Sequence, residues 1–147
     1  MAILLTVDAS VFVASCHQRE PGYADSCAFL AALRDVGLPL IEPAILPVEV
    51  AAALSRSGSD TALAREYASA ILALPRLTVV SVDSRLARRA VEIAAENRLR
   101  GADALYATVA VLYGARLVTL DREQLQRAPA VVSACRPHEA VQQLQQP

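Results

Sequence analysis

The stretch "NRLRGADALYATVAVLYGARLVTLDRE", from Asn97 to Glu123, contains the pattern that decides the fold. Asp103 opens an otherwise apolar helical segment, the short apolar run "ARLVTL" follows it, and Asp121 comes directly after that run. A helix followed by a buried strand is typical of an α/β unit. Other acids that follow a strand or lie in the first turn of a helix will then lie at the same edge of the sheet.

Apolar runs and helical patterns alternate along the rest of the chain. We predict strands over residues 3–7, 38–43, 76–82, 115–120 and 130–134. Helices are predicted over residues 10–15, 23–36, 47–58, 61–74 and 84–98, with further helical segments opened by Asp103 and Asp121 and a frayed one over residues 138–147. This alternation predicts an α/β fold, a three-layer α/β/α sandwich with a mainly parallel central sheet, in a single domain over residues 1–147.

The composition excludes several classes of protein. The formal net charge of the 147 residues is −1, so no broad basic face indicates nucleic acid binding. Aromatic residues make up 4% and Trp is absent, which argues against a platform that stacks on bases. All 14 basic residues are Arg. Any contact with RNA must therefore be local and made by arginine.

The cysteines and the apolar segments indicate the compartment. Cys16, Cys27 and Cys135 are widely spaced and form no C-x-x-C pair, so we predict buried thiols rather than disulfides or a zinc site. The first ten residues lack the basic and long apolar regions of a signal peptide, and "ATVAVLYGA" is too short to span a bilayer. We expect a soluble cytoplasmic protein without membrane contact.

Four acids occupy equivalent boundaries in this pattern. Asp8 follows the first predicted strand and Asp121 follows "ARLVTL", while Glu49 and Asp103 lie in the first turns of two helices. Pro47 marks the start of the helix that contains Glu49. In a parallel sheet, the carboxyl ends of strands and the first turns of the following helices share one edge, where ligands bind. We expect the four side chains to converge there.

Each acid also has a simpler interpretation. Asp8 and Asp121 suit helix caps, which contribute about 1 kcal/mol each. Glu49 and Asp103 suit the helix dipole, which is worth roughly 0.3–1 kcal/mol. Converging carboxylates repel one another unless a cation neutralises them, and Mg²⁺ or Mn²⁺ prefers such oxygen ligands. The four together therefore indicate a metal site, although each one alone is explained by helix capping or by the helix dipole.

The remaining titratable residues form no second constellation. Asp60 and Asp83 occupy helix caps, and Glu92 is expected to pair with Arg88 on a solvated helix face. Glu42 stands beside Pro43 at the end of a strand and is left out of the site. The two histidines, His17 and His138, are predicted to lie in surface loops without a catalytic partner.

The segments "LLTVDASVFVA", "PVEVAAAL", "RGADALYATVA" and "ARLVTLDREQL" resemble, in order and setting, those of PIN-domain nucleases. The likeness is strongest to the VapC-like toxins of toxin–antitoxin pairs, and it extends from Ile3 to about Val132. Leu125 stands where the family often has an aromatic residue. This departure bears on local packing rather than on metal binding.

The resemblance implies a function. Asp8, Glu49, Asp103 and Asp121 resemble the family's acidic quartet, which binds Mg²⁺ or Mn²⁺ in an endoribonuclease that cleaves RNA. Ser10 and Thr119 resemble the hydroxyl residues that support the first and last of these acids. The family also implies a homodimer and a cognate antitoxin, for which "SCAFLAAL" and "VEVAAALSR" are candidate surfaces, although core packing is the slightly favoured explanation of both segments. Arg98 and Arg100 are candidate RNA contacts or simply solvated loop residues.

Other classes with acids at strand ends lack necessary residues. A receiver domain requires a Lys, and this chain contains none. A dinucleotide-binding domain requires G-x-G-x-x-G, and "DASVFVAS" contains no Gly. A haloacid-dehalogenase-type phosphatase requires a second acid where Ser10 stands. The alternative that persists is a PIN-like scaffold that binds RNA or a protein without cleaving.

Overall fold

A parallel sheet organises residues 3–147, which are the residues that this computed structural model describes. Its strands are β1 (Leu5–Val7), β2 (Leu40–Pro43), β3 (Leu77–Val80), β4 (Arg116–Val118) and β5 (Ala134–Cys135). The strand order is β3-β2-β1-β4-β5, and every neighbouring pair is parallel. The short apolar strand β1 is therefore central, and all its residues are buried, as expected for a strand covered on both faces.

Eight α-helices lie between and after these strands within the described residues. They are α1 (Ala9–Ala14), α2 (Tyr23–Val36), α3 (Leu46–Arg56), α4 (Thr61–Leu72), α5 (Ser84–Asn97), α6 (Gly101–Tyr113), α7 (Arg122–Arg127) and α8 (Pro137–Gln145). Gly37 and Gly114 end α2 and α6 with φ of 70° and 67°, a conformation that glycine adopts without strain. The predicted three-layer α/β/α sandwich is confirmed.

Two groups of helices pack on the sheet. The apolar helix α6 packs against α5 and against the strands β1, β2 and β4. A second group is formed by α1, α2, α3 and α4, in which α3 contacts both α1 and α4. On α3 the residues that recur at helical spacing, Leu46, Val50 and Leu54, are buried in the core. The first turns of α3 and α6 are thereby held beside the end of β1.

Several predicted boundaries were wrong. The strand predicted over residues 130–134 is displaced, because Ala128–Ala130 forms a 3₁₀ turn that contains Pro129. The backbone N–H groups of Val131 and Val132 both donate to the carbonyl of Ala128, which removes them from strand geometry, and β5 begins only at Ala134. The other strands are shorter than their apolar runs, and α4 ends at Leu72 rather than residue 74.

Some predicted environments also differ. Of the three free cysteines only Cys135 is buried, whereas Cys16 is exposed and Cys27 is intermediate. Asp60 begins α4 without a hydrogen bond from its side chain to the helix. His138 lies in α8 rather than in a loop. No helix within residues 3–147 is both long enough and apolar enough to cross a membrane.

Candidate active site

Asp8 connects the end of β1 to the start of α1. Its backbone N–H donates to the carbonyl of Val118 at 2.9 Å, which joins the ends of β1 and β4. Its Oδ2 accepts a hydrogen bond from the backbone N–H of Ser10 at 3.0 Å and so caps α1. The side chain is only 6% exposed. Asp8 is therefore fixed in position by both the sheet and the helix.

Two hydroxyl groups connect Asp8 to the segment after β4. Thr119 Oγ1 donates to Asp8 Oδ2 at 3.4 Å and accepts the backbone N–H of Asp121 at 3.0 Å. Ser10 Oγ accepts the backbone N–H of Leu120 at 3.1 Å and lies 3.5 Å from Thr119 Oγ1. These contacts hold Asp8 and Asp121 in register, in the manner of outer groups that orient metal ligands.

The acidic cleft collects carboxylates from four chain segments. Asp8, Glu49, Asp103 and Asp121 line one depression of about 300 Å³. Glu49 reaches it from the first turn of α3 and Asp103 from the first turn of α6. Asp121 precedes α7, where its Oδ1 accepts the backbone N–H of Gln124 at 2.9 Å. The four predicted acids thus lie together, and both capping interpretations are also correct.

Arg100 is the cation nearest to these acids in the structure. Its Nη2 lies 2.8 Å from Asp121 Oδ2, and its Nε lies 3.3 Å from Asp103 Oδ2. The same Nε lies 3.5 Å from Glu123 Oε2 at the rim. The arginine side chain is 64% exposed, so it approaches the cleft from solvent. Arg98, the other candidate, contributes instead its backbone carbonyl, which accepts a hydrogen bond from Arg127.

Burial, and then the crowding of negative charge, raises the pKa of three acids in the cleft. Burial, followed by the charges of Asp8 and Asp121, raises the pKa of Asp103 to about 6 although Arg100 lowers it. Burial also raises the pKa of Asp8, against hydrogen bonds from Ser10 and Thr119 that lower it. For Glu49, burial raises the pKa, with a further contribution from Asp8. A bound cation would stabilise the charged forms of these carboxylates, which are otherwise disfavoured.

Two buried polar residues behind the cleft were not predicted. Glu42 is 1% exposed, its Oε1 accepts the backbone N–H of Val7 at 2.6 Å, and its Oε2 has no partner within residues 3–147. The hydroxyl of Tyr106 is buried, makes no regular hydrogen bond there, and lies near enough to Glu49 to lower the pKa of that acid. An ionisable residue inside the apolar run "LPLIEP" was the signal that could have identified Glu42.

The residues present fit a divalent ion in their chemistry. Four carboxylates, whose oxygens are hard ligands, line the cleft, and the buried hydroxyl of Tyr106 lies near one of them, Glu49. No three His, Cys, Asp or Glu side chains among residues 3–147 are already arranged to enclose an ion. Arg100 contacts Asp103 and Asp121, two of the acids that would hold an ion, and Mg²⁺ retains several of its waters, so close spacing of three protein ligands is not required.

The remaining predicted contacts differ in detail. Glu92 pairs with Arg89, not Arg88, at 2.6 Å on α5. His17 Nε2 lies 3.1 Å from Ser57 Oγ, and His138 Nδ1 lies 3.6 Å from Asp25 Oδ2. Neither histidine lines the acidic cleft. Catalytic roles for them therefore gain no support from the structure.

Solved structures with the same fold include several toxins. The chain is 27% identical to PAE2754 from Pyrobaculum aerophilum, with 98% of each chain covered and a TM-score of 0.68. It is 18% identical to VapC20 from Mycobacterium tuberculosis, described as a sarcin–ricin loop cleaving toxin, over 83% of this chain and 93% of that one, with a TM-score of 0.70. VapBC2 from Rickettsia felis, bound to a promoter DNA fragment, is 16% identical over 91% and 98% of the chains, with a TM-score of 0.66.

The sequence itself also matches a family. It has no significant match among curated proteins. A family model, that of the PIN domain, matches residues 5–130 and so includes all four acids of the cleft. The fold, the order of the acids and this match agree with one another. The chain belongs to the PIN domain family.

Proposed function

We propose that the acidic cleft is a ribonuclease centre that hydrolyses RNA phosphodiester bonds with Mg²⁺ or Mn²⁺. The observation that carries this proposal is the meeting of Asp8, Glu49, Asp103 and Asp121 in one cleft. Membership of the PIN family and the fold shared with VapC20, a toxin that cleaves the sarcin–ricin loop, support it. We further propose that the protein is the toxin of a type II toxin–antitoxin pair.

Each acid has a distinct part in the proposed reaction. Asp8, Asp103 and Asp121 would hold the ion, and Glu49 would orient the attacking water or complete a second ion position. A divalent ion, when bound, polarises a phosphodiester oxygen and lowers the pKa of a nearby water. The extra negative charge of the pentacovalent transition state is best stabilised by charges already in place.

Other side chains prepare the site and attract the substrate. Ser10 and Thr119 keep Asp8 and Asp121 in register through hydroxyl contacts. Arg56 and Arg100 line the same cleft and supply positive charge for the phosphates of the substrate. Such local charge is required because the net charge of the chain is only −1.

The test is cleavage of a short fluorescent RNA by protein purified free of any antitoxin. We expect cleavage with Mg²⁺ or Mn²⁺, none with a chelator, and a loss of at least about 100-fold in Asp8→Asn and Asp103→Asn. Asp83→Asn is the matched control, because Asp83 caps α5 and lies outside the acidic cleft. Tight RNA binding without cleavage under any metal would instead identify a non-catalytic scaffold.

An apolar groove is the proposed antitoxin site. It has a volume of about 300 Å³ and is lined by residues of α1, α2 and α4, including Phe12, Leu30 and Tyr67, and by Leu74 just after α4. An amphipathic segment would bury its apolar face there. The VapBC2 structure indicates that a protein of this fold assembles with a partner, which supports the proposal. Of the two predicted segments, only that in α2 lines the groove.

Substitutions at Leu74, just after α4, and at Leu63 on α4 test whether the groove binds the antitoxin. Leu74→Glu places a charge in the groove and is expected to weaken binding of the antitoxin encoded beside the gene. Leu63→Glu is the control, because Leu63 is exposed and does not line the groove. Equal binding by both variants, measured by calorimetry, would place the antitoxin elsewhere.

The proposed homodimer has a separate candidate surface. Val79 on the edge strand β3 and Leu112 and Tyr113 at the end of α6 are large exposed apolar residues. Leu112 and Tyr113 line one depression with Val80 of β3, so they lie near that edge strand, and exposed apolar patches commonly mark interfaces. Sedimentation of the purified chain measures the mass directly, and Leu112→Glu is expected to shift a dimer towards monomer.

A further inference from the structure

A second cleft adjoins the acidic one. It has a volume of about 480 Å³ and shares Ser10 and Val13 with the acidic cleft, so the two depressions are neighbours on the surface. Its other walls come from the loop before α2 and from the first residues of α7 and α8. We call it the Arg122–Arg136 cleft after its two arginines. A strand that leaves the acidic cleft past Ser10 enters it.

The two arginines of this cleft differ from Arg100. Neither Arg122 nor Arg136 forms an ion pair with a carboxylate among residues 3–147, whereas Arg100 contacts three acids. Arg136 is half-buried and its backbone N–H, not its guanidinium, bonds Glu139. A guanidinium offers a planar array of donors that matches a phosphate in two-point contact. Both side chains are thus available to an anionic ligand.

Two acids share the walls of the Arg122–Arg136 cleft. Asp25 lies 3.6 Å from His138 Nδ1, so the histidine offsets it when protonated, and Glu20 lies in the exposed loop before α2. Neither acid approaches an arginine within ion-pair distance among the described residues. The two acids of this cleft therefore leave both guanidinium groups available to the phosphates of a strand.

The lining also indicates what part of a nucleic acid is recognised. Apart from His138 it contains no aromatic ring, so bases cannot stack on Phe, Tyr or Trp there. Contacts to phosphate position a strand without reading its sequence. The ligand expected from this chemistry is the sugar–phosphate backbone of a single strand.

We propose that Arg122 and Arg136 bind backbone phosphates of the RNA strand on one side of the bond that the acidic cleft cleaves. This inference rests on the proposed function, since it assigns the path of the substrate to and from that cleft. His138 lines the same cleft as the two arginines, and Ser10 lines both clefts.

The test compares two double variants. In Arg122→Gln/Arg136→Gln the proposed contacts are lost, and in Arg65→Gln/Arg88→Gln the same charge is removed from exposed arginines that line neither cleft. Binding of a fluorescent single-stranded RNA is measured by anisotropy in chelator, over a range of salt concentrations. We expect binding on the order of tenfold weaker in the first variant and a salt slope shallower by about 1.4, as for two lost phosphate contacts.

Kinetics add a readout that a folding defect would not mimic. With Mn²⁺, the first variant is expected to show a raised KM and a nearly unchanged kcat, and Arg122→Lys/Arg136→Lys should recover much of the affinity because it keeps the charge. Equal RNA binding by both double variants, or loss of antitoxin binding instead, overturns the inference. Absence of metal-dependent cleavage by the unmodified protein refutes the proposed function alone, since the anisotropy comparison needs no cleavage.

Discussion

The carboxyl group of Glu42 accepts a hydrogen bond from the backbone N–H of Val7 at 2.6 Å, so a side chain satisfies a donor on the central strand. The β1–β2 ladder pairs Leu5 with Leu40, and beyond that point the two strands are joined through side chains, including that of Thr6, which donates to the carbonyl of Ile41. Glu42 thus lies directly behind Asp8, inside the protein.

This position makes Glu42 sensitive to pH. Burial raises its pKa well above the ordinary 4.5, the hydrogen bond from Val7 lowers it, and the charge of Asp8 raises it. A folded-state pKa above the unfolded value means that the stabilising contribution is complete below pH 4.5 and is lost as pH rises through the folded-state pKa.

Glu42→Gln tests this directly. The amide keeps an oxygen for Val7 but cannot ionise, so the variant should gain stability over the unmodified protein as pH rises, by up to about 1.4 kcal/mol per pH unit. Urea unfolding of both proteins from pH 4.5 to about pH 8 measures the difference. Glu66→Gln on the exposed face of α4 is the control. Parallel pH profiles for Glu42→Gln and the unmodified protein would show that Glu42 is already ionised.

Arg100 competes with a metal ion for Asp103 and Asp121. Arg100→Ala is expected to make the metal-free protein less stable, because two crowded acids lose their counter-ion, and to bind Mn²⁺ several-fold more tightly. Thermal unfolding with and without Mn²⁺ should show a larger metal-induced rise in Tm than in Arg88→Ala. An identical rise in both variants would mean that Arg100 does not oppose the ion.

Asp103 should titrate unusually high in the metal-free protein. Its carboxyl resonance is expected to report a pKa of about 6, chiefly because of burial and then the charge of Asp8. Protons compete with an ion for this oxygen, so metal affinity should fall as pH decreases through about 6. NMR titration of Asp8→Asn should give a lower value, and Asp83→Asn should leave it unchanged. If the pKa of Asp103 is the same in Asp8→Asn as in the unmodified protein, the charge of Asp8 does not contribute to it.

Helix capping and catalysis can be separated at Asp121. Asp121→Asn keeps an oxygen for the N–H of Gln124, whereas Asp121→Ala loses it and should be less stable than the Asn variant by about 1 kcal/mol. Both are expected to lose cleavage. The corresponding pair at Asp83, which caps α5 through Leu86, should show the same stability difference with cleavage retained. Equal stability of the two Asp121 variants would argue against the cap.

Local signals were sufficient to place the four acids. Pro47 predicted the start of α3 to within one residue, Asp8 and Asp121 follow apolar runs, and Asp103 opens the apolar helix α6, so each acid could be assigned to a boundary. The convergence of these boundaries then followed from the geometry of parallel sheets.

Features that depend on contacts between distant residues could not be predicted from local sequence patterns. The pairing of Arg100 with Asp103 is local, but its contact with Asp121 spans 21 positions. Glu42 was interpreted as a residue at a strand end, and its contact with the N–H of Val7, 35 positions away, depends on the pairing of two strands. At β5, Val131 and Val132 have strong strand propensity, which the turn containing Pro129 overrides.

The contact between Thr119 and Asp8 joins residues 111 positions apart, across two neighbouring strands at the centre of the sheet. A growing polypeptide on the ribosome can form β1 and β2 early, but it cannot complete the acidic cleft until β4 and the residues after it have emerged. For a nuclease of the proposed kind, the RNA near the ribosome is thereby protected from cleavage while the chain is being synthesised. The proposed activity would therefore begin only after the residues that follow β4 have been made.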